Sequence, residues 1–130
     1  MYIIDMHHIF KSHHPIRHAK SVQYAFEGIF FALLNEPNFR IQVLIVIISV
    51  IGGIHFKITN TEWGLLTMSM GFLLSAEMLN TVVEEFIDNV VKEVNLGMKI
   101  IKDCAAGFVL ITAITAAIIL VLIFWHRVFV

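Results

Sequence analysis

From Phe39 onward the chain alternates between long apolar runs and short polar breaks. The first run, FRIQVLIVIISVIGGIHF, covers about residues 39–56. The second begins near Trp63 with WGLLTMSMGFLL and turns polar after Ser75. The third, CAAGFVLITAITAAIILVLIFW, runs from Cys104 to Trp125. A bilayer's hydrocarbon core is roughly 30 Å thick, so a spanning helix needs ~20 mostly apolar residues. The three runs therefore predict spans at about 39–56, 63–88 and 102–125. Trp63 and Trp125 stand at span ends, where an amphipathic indole favours the interface. Gly52 and Gly53 predict a loosened first span or a close helix contact.

Residues 17–36 follow another pattern. Val22, Ala25, Phe26, Ile29, Phe30 and Leu33 repeat at helical spacing, with Arg17, Lys20, Gln23, Tyr24 and Glu27 between them. That predicts an amphipathic helix lying on the membrane surface, a placement compatible with packing on the bundle. Asn35-Glu36-Pro37 ends it before the first span, because a residue preceding proline is pushed out of helical geometry. Residues 1–16 read as a polar, His-rich tail. His7, His8, His13, His14 and His18 are potential metal ligands, but such a cluster more often belongs to a polar tail. The expected architecture is an all-α membrane protein, with residues 17–130 as one domain of a surface helix and three spans.

Composition supports lipid exposure. Hydrophobic residues make up 58% and charged residues 15%, against about a quarter charged in soluble domains. A net charge of -1 offers no basic face for nucleic acid. The one cysteine, Cys104, excludes an intrachain disulfide. The polar N-terminus predicts no cleavable signal. Basic residues orient the spans: Lys11, Arg17, Lys20, Arg40, Lys92, Lys99 and Lys102 fall on one side, Lys57 and Arg127 on the other. The N-terminus and the 89–101 loop are thus expected in the cytoplasm.

The second run ends in SAEMLNTVVEEFID, which carries Glu77, Asn80, Glu84, Glu85 and Asp88 with no Lys or Arg among them. Glu77, Asn80, Glu84 and Asp88 share one helical side, and Glu85 points elsewhere. An ionised carboxylate facing lipid costs about 2.5 kcal/mol or more, so Glu77 must face protein, water or a partner charge. Lys102 and Asp103 open the third span at the depth of Glu84, and Glu36 and Arg40 flank the first. Carboxylates bind Mg²⁺ together with substrate phosphates, Lys and Arg hold phosphate oxygens, and a deep carboxylate accepts a proton from a hydroxyl. These parts suit phosphoryl transfer, although no GxxxxGK[ST] phosphate loop is present. Blander readings are a polar oligomer contact at Glu77 and a solvated helix end at Glu84, Glu85 and Asp88. They correspond to a small regulatory span protein; an ion or proton pathway is the third alternative.

Several motifs resemble the small prokaryotic lipid kinases, the integral-membrane diacylglycerol kinases and their undecaprenol kinase relatives. The pieces are Arg17, YAFEG from Tyr24 to Gly28, NEPNFRI from Asn35 to Ile41, ExxNTxxE from Glu77 to Glu84, and KDxAAG from Lys102 to Gly107. NFRI and KDxAAG look closer to the undecaprenol branch. The resemblance implies a homotrimeric bundle in the bacterial inner membrane. Its active sites lie between subunits at the cytoplasmic face, transferring the γ-phosphate of ATP to a lipid hydroxyl. It implies Glu77 as general base with Asn80 beside it, and Glu36 and Glu84 as Mg²⁺ carboxylates. Arg17, Tyr24, Glu93, Lys102 and Asp103 match nucleotide contacts. Asn38, Phe39, Arg40, Ile41, Gln42 and Ala106 match stretches bordering the lipid headgroup. Two departures stand out. Glu93 is followed by Val94 and Asn95, where the family often has a Tyr-His pair near the nucleotide. Phe108 is bulkier than the Ala expected after KDxAAG.

Overall fold

Four helices follow one another in the computed structural model, which describes residues 15–90 and 95–129, with side chains in the first helix from residue 19 onward. They are α1 (Pro15–Asn35), α2 (Pro37–His55), α3 (Asn60–Val90) and α4 (Leu96–Phe129). No strand occurs among the described residues. α2, α3 and α4 are each long and apolar enough to cross a membrane, matching the three expected spans.

Local chemistry sets the breaks. Glu36 is extended, with φ -101° and ψ 109°, and Pro37 opens α2, a first-turn position where the missing N–H of proline is harmless. α2 ends in a reversal of chain direction. Ile58 N–H donates to Gly53 O at 3.1 Å and Lys57 N–H to Ile54 O at 3.3 Å. Lys57 takes the left-handed conformation, φ 52°, that this ending requires. Gly53 is needed here. A Cβ on it would lie 2.7 Å from the Trp63 ring and 3.1 Å from Ile58.

α3 begins with a reciprocal cap. Thr59 N–H donates to Glu62 Oε2 at 2.7 Å, and Glu62 N–H donates to Thr59 Oγ1 at 3.3 Å. α4 starts at Leu96 rather than near residue 102, and ends at Phe129 rather than near 125. Hydropathy marks where lipid contact stops, but the helix continues wherever its terminal N–H groups find partners. Asn95 supplies one, its Oδ1 accepting from Met98 N–H at 3.1 Å.

α3 packs most extensively on α4, then α2 on α3, with α1 laid against α2 and α3. The buried core is Ile58, Leu66, Met70, Leu73, Ala116 and Ile123. On α2 the buried stripe is Phe39, Gln42, Ser49 and Gly53. Spacings of three, seven and four keep it on one side, toward α3. On α1, Ala32 is buried, while Val22, Phe26, Ile29 and Phe30 remain exposed. Most of the apolar side expected from the periodicity is thus left uncovered by the rest of the chain.

Candidate active site

Glu77 is 1% exposed and Gln42 8% exposed. They meet where the buried stripe of α2 faces that of α3. Gln42 Nε2 donates to Glu77 Oε2 at 2.7 Å. One turn on, Thr81 Oγ1 donates to the Glu77 carbonyl at 3.1 Å. A carboxylate held this deep needs a donor such as Gln42 in place of water, because burying it bare is strongly unfavourable. The Oε1 atom of Gln42 is buried without a partner among the described residues.

The rest of the stripe follows toward the end of α3. Asn80 Nδ2 donates to Glu84 Oε1 at 2.8 Å, and its own Oδ1 is buried and unpaired among the described residues. Lys102 of α4 pairs with Asp88, and Lys99 with Asp103 at 2.6 Å. Lys102 therefore reaches Asp88 across the α3–α4 interface, while Asp103 pairs within α4.

Glu36 joins this layer from the α1–α2 junction. Burial pushes its carboxyl above the usual carboxylate range, and repulsion from Glu84, Glu77 and Glu85 adds to the rise, with Arg40 opposing. Glu85, though off the stripe, is near enough to contribute. The Arg40 guanidinium meanwhile donates to Leu34 O at 2.7 Å and Leu33 O at 3.5 Å. These carbonyls at the end of α1 have no helical partner, so Arg40 fixes the elbow between α1 and α2.

Among the described residues no three His, Cys, Asp or Glu side chains gather as a metal cage. Mg²⁺ needs no such cage: it commonly takes one or two carboxylates together with substrate phosphates. Glu36 and Glu84 fit that donor set, since a cation between them would relieve the repulsion that raises Glu36.

An apolar cleft of about 410 Å³ runs beside the same turns of α3, lined by Ile29, Phe39, Leu74, Met78, Leu79 and Val82, with Ser75 its polar residue. Phe39 is buried and also lines this cleft. Asn38, Ile41 and Ala106 are exposed. Tyr24 is exposed on α1. Glu93 and Val94, the side chain of Arg17 and the histidines of the N-terminal tail lie outside the described residues.

Two contacts escaped the sequence reading. The Gln42–Glu77 bond had one signal, a lone amide within an apolar run. The ion pair of Arg127 with Glu62, 2.9 Å through each guanidinium nitrogen, had Thr59-x-x-Glu62 as a capping signal but nothing to announce its arginine.

The model of the family described as prokaryotic diacylglycerol kinase matches residues 23–124. Undecaprenol kinase of Bacillus subtilis (strain 168) is 32% identical over 108 residues, covering 83% of this chain and 88% of that protein. Diacylglycerol kinase of Escherichia coli (strain K12) is 27% identical over 108 residues, with the same coverage of 83% and 88%. Diacylglycerol kinase of Synechocystis sp. is 34% identical over 102 residues, covering 76% of this chain and 57% of that longer protein.

Proposed function

The chain belongs to the prokaryotic diacylglycerol kinase family, and from that membership we propose that it is an ATP-dependent lipid kinase of the bacterial cytoplasmic membrane. Its acceptor is a lipid with a free hydroxyl, diacylglycerol or undecaprenol, and its working form is a homotrimer with the site between subunits. The N-terminus and the loop before α4 face the cytoplasm, where ATP is.

One observation supports the reading above the others. A carboxylate 1% exposed accepts a hydrogen bond from a neutral amide on one oxygen, beside an apolar cleft and about two turns from a second layer of carboxylates. A purely structural polar contact requires no such neighbours. In the proposed reaction the lipid hydroxyl gives its proton to Glu77 while its oxygen bonds to the γ-phosphorus of ATP. The bond from that phosphorus to the β,γ-bridging oxygen breaks, and ADP leaves with the electron pair. Asn80 orients Glu84, and Lys102 offsets phosphate charge once it leaves Asp88. Glu36 and Glu84 would hold Mg²⁺, which supplies charge neutralisation on the phosphates when bound. Phe39 and its cleft partners receive the lipid chain.

The test offers purified protein in mixed micelles Mg-ATP with diacylglycerol, undecaprenol or ceramide. Phosphate transfer to one of the first two is expected. Transfer to none of the three, or ion conductance without ATP, overturns the reading.

A further inference from the structure

The geometry assigns Gln42 as a positioning residue for Glu77, holding one carboxylate oxygen so that the other faces the incoming hydroxyl. The assignment deepens the kinase reading and rests on it for its catalytic meaning.

Gln42 interrupts the run FRIQVLIVIISV, on the face of α2 that is packed rather than exposed. An amide buried to this degree is unfavourable unless it is bonded, so its place calls for a partner worth the burial. That partner is Glu77 Oε2 at 2.7 Å, a charge-assisted bond about twice as strong as a neutral one. The orientation of the amide follows from chemistry. With Oε1 turned toward the carboxylate, two acceptors would oppose each other, so the NH₂ must face Glu77.

A neutral donor suits a base. Lysine or arginine at this position would hold the carboxylate by full charge and reduce its hunger for a proton. The amide orients it without cancelling its charge. It also serves the next state of the reaction. Once Glu77 has taken the proton on its other oxygen, Oε2 remains an acceptor, so the same Nε2–H donation persists without rearrangement. Gln42 can thus hold the base in both forms.

The experiment compares wild type with Gln42→Met and Gln42→Asn, the second keeping an amide but withdrawing it by one methylene. Two quantities are read. The first is steady-state kinetics at saturating lipid. The second is the rate at which dicyclohexylcarbodiimide, which modifies membrane-buried carboxyls in their protonated form, labels the Glu77 peptide, with Glu77→Gln as blank. Loss of a donor to the ionised form is expected to speed labelling roughly tenfold and to lower kcat by roughly ten- to a hundredfold. The KM for ATP should stay as in the wild type. Should Gln42→Met fail to fold, Gln42→Asn carries the same expectation. Labelling and kcat unchanged in a folded variant overturn the proposal, and so does a loss confined to the KM for ATP. A wild type that phosphorylates no lipid yet shows the labelling contrast removes the kinase reading and leaves the hold of Gln42 on Glu77 standing.

Discussion

Arg127 and Glu62, 65 positions apart, are joined by a two-pronged ion pair, each guanidinium nitrogen 2.9 Å from its carboxylate oxygen. It clasps the end of α4 to the start of α3. The same Glu62 caps α3 through Thr59, so one side chain serves both helix ends.

That clasp lies fifteen residues along α3 from Glu77, about 22 Å at 1.5 Å per residue. Arg127→Ala should therefore lower the melting temperature and leave kcat unchanged. Arg127→Lys should recover only part of the loss, because a single ammonium cannot match the fork. A kcat that falls with stability intact would mean that the far end of the bundle reaches the site.

Glu77→Gln keeps the shape of the proposed base and removes its capacity for a proton. The expected fall in kcat is about 10²–10⁴-fold, with little change in the KM for ATP. Steady-state kinetics at saturating lipid decide it. A few-fold change would make Glu77 a structural polar residue.

Glu36 carries the pH prediction. Burial and the neighbouring carboxylates favour its protonated form in the folded protein. Between the ordinary carboxyl pKa and the raised one, the folded state holds more protons than the unfolded chain. Metal-free stability should thus fall as pH rises through that window. Glu36→Gln removes the penalty, so at neutral pH without Mg²⁺ it should melt above the parent. Mg²⁺ should raise the melting temperature of the parent and not that of the variant. A variant that melts lower in both conditions removes the repulsion argument.

Gly53→Ala places a Cβ 2.7 Å from the Trp63 ring. Overpacking of this kind typically costs about 1–3 kcal/mol. Gly52→Ala meets Phe124 at 3.3 Å, the far edge of a side chain that can shift, and should be milder. Thermal unfolding in detergent ranks the two, and equal effects would show that Trp63 yields easily.

Topology is checked by impermeant thiol labelling of intact cells in a Cys104→Ala background. Asn60→Cys should be labelled and Asn95→Cys protected. The reverse would put the carboxylate layer on the side without ATP.

The helices were legible because lipid selects long apolar runs, and the stripe of Glu77, Asn80, Glu84 and Asp88 because spacing on one helix fixes its own faces. What spacing on one helix cannot encode is register against another. Gln42 meets Glu77 across 35 positions, and Arg127 meets Glu62 across 65. Both pairings depend on how far α2 and α4 slide along α3, which core packing decides. α4 extends beyond the apolar run for a related reason. Polar residues such as Lys99 and Asp103 leave the lipid without leaving the helix, and Asn95 sets the true end.

α2 has 19 residues, about 28 Å at 1.5 Å per residue, close to the thickness of the hydrocarbon it crosses. α3 and α4, with 31 and 34 residues, overreach it. The short helix is therefore a ruler, with Glu36 at one tip and the Lys57 turn at the other. Lipids of longer or shorter acyl chains cannot stretch it; they must tilt it or deform around it. Either response changes how much water reaches the layer of Glu36 and Glu84. Membrane thickness thereby becomes a physical variable of the chemistry proposed for that layer, set by the surrounding lipid population.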